Sequence, residues 1–236
     1  MAYNLIDISV TIIEKNMIYD FHTHTFLSDG ESSPIELMRF AYAYGYGCIG
    51  ISDHVSYSNL EQIIEPIKRD CRLAEQYWDI KAVPGVELTN VPAGSIEEMA
   101  RRAKEAGAVM VVVHGETIVE EVEEGTNMAA VSSEYVDLLA HPGLITEQEA
   151  RLAARNDVYI EVTSRKGHCL SNGRVVQIGR EAGVRFLINS DSHNHNDLYR
   201  GDFKKKVALA SGLSHKEYDE IINVSQQKFL KKIGYN

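Results

Sequence analysis

Cysteine is scarce: Cys48, Cys71 and Cys169 are the only three in 236 residues, odd in number, scattered, and without a C-x-x-C pair. That pattern excludes a disulfide framework and a cysteine-built zinc site, and it reads as reduced, mostly buried thiols. Long apolar runs are missing as well. None approaches the roughly 18 residues that a membrane-spanning helix needs. The first stretch, MAYNLIDISVTIIEKN, carries acids but no basic leader and no small-residue cleavage site, so a cytoplasmic protein is expected. Basic residues are in deficit: 24 Lys and Arg face 34 Asp and Glu, a formal net charge of -10. Non-specific affinity for nucleic acid comes mostly from Lys and Arg neutralising phosphates, so nucleic acid is disfavoured as a partner and a small substrate is expected. Linkers, repeats and low-complexity tracts are absent too. The chain therefore divides into an N-terminal extension, 1–16, and one domain, 17–236, with a length and a 44% hydrophobic content suited to a single sizeable core.

What is present is a recurring alternation. Seven apolar runs rich in β-branched residues read as strands: MIYDF from Met17, CIGIS from Cys48, KAVPGVEL from Lys81, VMVVVH from Val109, VDLLAH from Val136, VYIEVT from Val158 and RFLINS from Arg185. Their near-continuous hydrophobicity suits strands buried on both faces, as in a parallel sheet covered by helices. Between them, Ser33-Pro34-Ile35-Glu36 is a capping-box signature that opens a helix stopping at Gly45. A second helix has Ser95 as its expected cap and Gly107 as its stop. TEQEARLAARN and SNGRVVQIGREAG, the latter ending at Gly183, repeat the scheme. Such alternation predicts an α/β fold, either a (β/α) barrel or a doubly wound sheet.

Nine histidines are many for this length, and six fall at strand ends together with three acids. His22 and His24 end the first run, with Asp29 in the following loop. His54 follows the second run, Glu87 lies on the third, His114 ends the fourth, His141 ends the fifth, and Asp191 and His193 follow the seventh. In closed parallel barrels the active site is assembled from the C-terminal ends of different strands, so residues distant in sequence converge. Imidazole with carboxylate suits zinc, manganese or iron, and nine ligands exceed what one four-coordinate ion can use. Two to three divalent ions are expected. His195 forms a second His-x-His with His193, and His215 reads as a surface helix residue.

His22-x-His24 followed by SDG, then ISDH, PGVEL, VVVHGET, DLLAHPG and NSDSH, resembles the successive motifs of the PHP family, named for polymerase and histidinol phosphatase. The likeness runs from about Met17 to Asp202. It implies a distorted (β/α)7 barrel, TIM-barrel-like, with a metal cluster at the strand C-terminal ends. Carried over residue by residue, it implies one ion on His22, His24, Glu87 and Asp191, a second on His114 and His141 with Glu87 as bridge, and a third on Asp29, His54 and His193. The implied activity is hydrolysis of a phosphate ester by a metal-activated water, with Glu87, Asp191 and His193 at the reacting centre.

The sixth run ends differently, in EVTSRKGHCLSNG, which brings Arg165, Lys166 and His168 to the mouth of the same barrel. A guanidinium offers the bidentate fork that fits phosphate oxygens. Asn172, opening the next helix, is placed to add its side chain or the helix N-terminus to the same anion. Similar SRKG loops occur in a histidinol-phosphatase-like branch of the family, so histidinol phosphate is one expected substrate. The glutamate run ETIVEEVEEGTN reads as a solvated helix face. Rival readings are an amidohydrolase-like C–N hydrolase, a PHP-type nuclease and a non-catalytic metal-binding module. Amidohydrolases usually bridge their metals with a modified lysine ending strand four, where this chain has His114. The net charge and the lack of a polymerase segment count against the nuclease.

Overall fold

Parallel strands dominate the computed structural model, which describes residues 17–235. The expected extension, 1–16, lies outside the described residues. The strands are β1 (Ile18–Asp20), β2 (Tyr46–Ile51), β3 (His54–Val55), β4 (Lys81–Leu88), β5 (Met110–His114), β6 (Leu138–Ala140), β7 (Tyr159–Thr163) and β8 (Phe186–Asn189). Every ladder is parallel, in the order β1-β2-β4-β5-β6-β7-β8, with the two-residue β3 attached to β4. The seven expected runs are thus the seven staves. Between β1 and β8 an isolated bridge joins Thr23 to Ser192, the His24 amide donates to the Ser192 carbonyl at 2.7 Å, and the Phe21 amide donates to Asn189 Oδ1 at 3.0 Å. Those bonds nearly close the sheet into the distorted (β/α)7 barrel.

Side chains alternate across each strand, and the alternation delivers the site. One set, Cys48, Val83, Met110, Val112, Leu138, Ala140, Tyr159 and Leu187, clusters inside the barrel with Phe229 and Leu230. Their neighbours Ile49, Ile51, Ala82, Val86, Val111, Val113, Leu139, Ile160, Val162, Phe186 and Ile188 pack outward against the helices. Continue the inner rows by steps of two and they reach Glu87, His114, Glu161, Asn189 and Asp191, all at the C-terminal rim. Gly85 shows how full the interior is: a Cβ there would stand 2.9 Å from Met110 Cε and 3.0 Å from the Met110 carbonyl oxygen.

The helices are α1 (Pro34–Ala43), α2 (Leu60–Tyr77), α3 (Ile96–Ala106), α4 (Thr126–Ser132), α5 (Glu147–Asn156), α6 (Asn172–Ala182), α7 (Phe203–Ala210), α8 (His215–Glu220) and α9 (Gln226–Lys232), with a π turn, Ile221–Ser225, joining the last two. Ser33 and Thr146 form complete capping boxes with Glu36 and Glu149. Ser95 does not cap α3, because its hydroxyl donates to the Pro92 carbonyl inside a preceding 3₁₀ turn. The glutamate run is not a helix face either. From Gly115 to Gly125 it is a loop, and α4 begins only at Thr126. His215 is exposed at the start of α8, as expected.

Candidate metal centre

At the rim, His22 leaves β1 fully buried and is oriented from behind. Its Nδ1 lies 2.8 Å from Glu161 Oε1, whose carboxylate also accepts from the His141 amide at 3.1 Å and Asn189 Nδ2 at 3.0 Å. Nε2 of His22 then faces Glu87 Oε1 at 3.2 Å, while His24 Nε2 stands 3.2 Å from Asp191 Oδ1. Across the cluster, Asp29 lies between His54 Nε2 at 3.4 Å and His193 Nε2 at 3.2 Å. The His193 ring is set by Nδ1 contacting the Asp191 carbonyl at 3.0 Å, and Thr89 Oγ1 lies 2.7 Å from His54 Nδ1. His141 Nε2 lies 3.6 Å from Asp191 Oδ2 and 3.7 Å from Glu87 Oε1, and its ring is 4.4 Å from that of His114, centre to centre.

Backbone strain accompanies this convergence. His141 and Asp191 adopt positive φ, +25° and +53°, an uncommon region for residues with a side chain, though one that His and Asp enter more readily than most. The loop carrying Asp29 is held by Asp53, which accepts from the Thr25 amide and hydroxyl at 2.7 Å each and from the Ser28 hydroxyl at 2.6 Å.

The donor set fits metal ions on two observations. First, His22 Nε2, both nitrogens of His24, His141 Nδ1 and Glu87 Oε1 are buried without a hydrogen-bond partner among the described residues. Buried polar groups are normally satisfied, so this concentration at one spot calls for a ligand. Second, two donors on one ion with bonds of about 2.0–2.2 Å stand roughly 3.0–3.5 Å apart in octahedral or tetrahedral geometry. The 3.2 Å separations His22–Glu87, His24–Asp191 and His193–Asp29 match such edges.

Electrostatics point the same way. Burial opposes charge on His22, yet the Glu161, Asp191 and Glu87 carboxylates override it and hold the ring well above its ordinary value. Burial likewise opposes charge on His54, but Glu87 and Asp29 push it up to about 10. Despite their own burial, Glu87 and Asp191 are held well below the usual carboxylate range, Glu87 by His22 and His54 and Asp191 by His22 and His24. Burial and the neighbouring His54 bring His24 down to about 4, and burial with His114 lowers His141 strongly. The centre favours positive charge while keeping two imidazoles in the neutral form that ligates.

Three of the expected groupings can be compared with the structure. His22, His24 and Asp191 converge, and so do Asp29, His54 and His193 with His24. The third cluster joins His114 and His141 to His168, a residue expected to bind substrate. The His168 ring stacks on His141 at 4.3 Å, and its Nδ1 lies 2.6 Å from Thr117 Oγ1. Arg165 and His168 line the cavity of about 470 Å³ over the cluster, and Arg165 is steadied by Asp197 at 3.6 Å. Lys166 is exposed and does not line that cavity. Asn172 is not free to bind an anion: its Nδ2 donates to the Thr163 carbonyl at 2.7 Å and to Ser211 Oγ at 3.0 Å, and its Oδ1 accepts from the Thr163 amide at 3.2 Å. It ties α6 to β7. His195 stacks on Phe40 at 4.3 Å, away from the cluster. Two further acids touch the cluster's imidazoles, Glu161 and Glu120. In the sequence Glu161 carries a signal, an acid on the inner row of an otherwise apolar strand; Glu120, one of several glutamates in a run, carries none.

A nearly closed parallel barrel with a histidine and carboxylate cluster at its C-terminal rim defines a class of metal-binding α/β barrels. Within that class the chain belongs to the PHP domain family, which it matches over residues 20–234. Among its relatives, an uncharacterized protein of Methanocaldococcus jannaschii is 47% identical, covering 92% of this chain and all of its own. A "Probable phosphatase" of Aliivibrio fischeri is 27% identical over 91% of this chain and 92% of its own. The DNA polymerase/3'-5' exonuclease PolX of Bacillus subtilis is 24% identical over 95% of this chain, which spans 42% of that protein's length. In fold, a solved structure from the work on YwqE of Bacillus subtilis and CpsB of Streptococcus pneumoniae, unique metal-dependent tyrosine phosphatases, superposes with a TM-score of 0.58 at 16% identity, covering 89% of this chain and 93% of its own.

Proposed function

We propose that the protein is a metal-dependent phosphatase that hydrolyses a small phosphate monoester in the cavity above the cluster. The observation that carries this reading is the joining, in one cavity of about 470 Å³, of the converging imidazoles and carboxylates with the Arg165 guanidinium. Two to three divalent ions, zinc, manganese or iron, are assigned to His22, His24, Glu87 and Asp191, to His114 and His141 with Glu87, and to Asp29, His54 and His193. Bound there, such ions would supply Lewis acidity, lowering the pKa of water and offsetting charge on phosphate oxygens.

The chain's own residues then have distinct tasks. Arg165 offers the phosphate two parallel donors from one wall, and His168, its Nδ1 fixed by Thr117, lines the same cavity. Glu87, Asp191 and His193 surround the reacting atoms, and Asp191 and His193 stand where a proton can be held during transfer to the leaving oxygen. A formal net charge of -10 disfavours nucleic acid as the substrate. None of the described helices is long and apolar enough to cross a membrane. Scattered free cysteines support a reducing, cytoplasmic setting.

The test is a hydrolysis screen over small phosphate esters, histidinol phosphate among them, with zinc, manganese and iron supplied in parallel and amides as the competing class. Arg165→Ala should lower kcat/KM for the best phosphate ester by roughly 30- to 1000-fold, the equivalent of about 2–4 kcal/mol lost with a charge-assisted contact. Metal content should stay at the wild-type value. Turnover of an amide without any phosphate ester, or an Arg165→Ala variant equal to wild type, would favour the amidohydrolase-like reading.

A further inference from the structure

The loop after β5 does more than connect. Glu116 Oε1 accepts from the Gly125 and Asn127 amides at 3.0 and 2.8 Å, and the Glu116 amide donates to Asn127 Oδ1 at 3.0 Å. Asn127, itself buried, donates from Nδ2 to the Pro142 carbonyl at 2.9 Å. On the facing loop, Gly143 has φ +59°, and a Cβ there would fall 1.8 Å from the Glu116 carbonyl oxygen. Both ends of the loop are therefore fixed, and its middle is carried over the metal centre.

What it delivers there is Glu120. Its Oε2 lies 3.1 Å from His114 Nε2 and its Oε1 lies 3.4 Å from His168 Nε2. These are the same donor-to-donor separations that mark the other ligand pairs. Among the described residues, no other glutamate of the run comes within 4.0 Å of an imidazole. His141, whose ring centre lies 4.4 Å from that of His114, has a buried Nδ1 with no hydrogen-bond partner among the described residues, and Glu87 is not within ion-pair distance of His114. The ion assigned to His114 and His141 thus has a carboxylate nearer to His114 than the expected bridge.

We propose that Glu120 is a ligand of that second ion, an assignment that rests on the metal-dependent reading above. A carboxylate brought by a loop differs from Glu87, which is fixed within a strand. Glu120 lines the cavity with its side chain 53% exposed, so it would reach the ion from the cavity side. His168, braced by Thr117, holds the other carboxylate oxygen and so positions Glu120.

The experiment uses the full chain, stripped by a chelator and titrated with manganese(II) alone, free manganese being followed by its electron paramagnetic resonance signal. Wild type, Glu120→Gln and Glu120→Ala are compared, with circular dichroism confirming the fold of each. Both variants should weaken one class of site by at least the roughly 10- to 100-fold that loss of even an outer-shell partner costs, leaving the other sites at wild-type affinity. In the cobalt(II)-substituted protein the visible bands should shift with Glu120→Gln. Superimposable manganese isotherms for the folded variants and wild type would overturn the assignment, as would a raised KM with unchanged isotherms, which would make Glu120 a substrate contact. Wild-type metal binding without hydrolysis of any phosphate ester would instead overturn the phosphatase reading and leave the ligand assignment standing.

Discussion

Glu161 shows how much of the proposed metal centre lies behind its candidate ligands. It is fully buried and holds His22, the His141 amide and Asn189 at once. Glu161→Gln keeps the shape but turns one acceptor into a donor, so His22 loses its orientation. Metal affinity should fall roughly 10- to 100-fold, read by chelator competition, with little change in the circular dichroism spectrum. A different buried pair, Asp20 at the end of β1 and Lys204 on α7, lies just behind the rim. Burial raises the Asp20 carboxyl to about 6, against the pull of the Lys204 ammonium, and Asp20 accepts from the His22 and Ser190 amides. A folded value above the ordinary 3.8 makes the protonated form the favoured one, so the stability it contributes is complete below that value and is lost as pH rises through about 6. Lys204→Met removes the opposing charge and moves the loss further up. In the metal-free protein, the stability of this variant relative to wild type should fall by about 1.4 kcal/mol for each pH unit above about 6, until Lys204 itself loses its proton near pH 8. Parallel melting curves across that range would show that the two charges do not sense each other.

At the scale of elements, the strands were legible because burial on both faces leaves an unbroken apolar run, and the imidazoles and carboxylates that converge at the rim because they follow those runs directly. Ser33 and Thr146 announce their helices through the acid three residues on. α2 gave no such signal. Its cap, Asn59, makes no side-chain capping bond, and Pro66 interrupts eighteen residues that otherwise place Leu60, Ile63, Ile64, Ile67, Cys71 and Ala74 on one buried face. Tertiary burial overrides the local cost of proline there. Pro66→Ala restores an amide within the helix and should stabilise the fold by about 1–2 kcal/mol, less than the full propensity gap because the unfolded chain also gains freedom. Thermal melting checks the sign. Asn172 and Glu120 mark the limit of legibility: one polar residue at a helix start clamps a strand instead of an anion, and one acid in a run is singled out only by where the loop carries it.

Over the whole molecule, the proposed ligands come from β1, β3, β4, β5, β6 and β8 or the loops after them, while the β1–β8 seam has no ladder. Ions shared by His22, His24 and Asp191 would tie the two sides of that seam together. Chelation should therefore lower the melting temperature, because whatever binds only the native state stabilises it. Amide exchange should accelerate first in β1 and β8, whereas uniform acceleration across the barrel would argue against the tie.

The filling of the barrel floor carries a consequence for how the protein is made. Phe229, in the last helix, packs edge-on against Phe21 from the first strand at 4.8 Å and against Tyr159 at 4.9 Å. The earliest and latest parts of the described chain thus meet in the same interior. A nascent chain leaving the ribosome can form its early strands and helices, but the cavity between them stays unfilled until α9 emerges. Completion waits for a contact of very long sequence separation, the kind that folds slowly. During that interval the apolar lining of the barrel interior lacks the cover that Phe229 gives it.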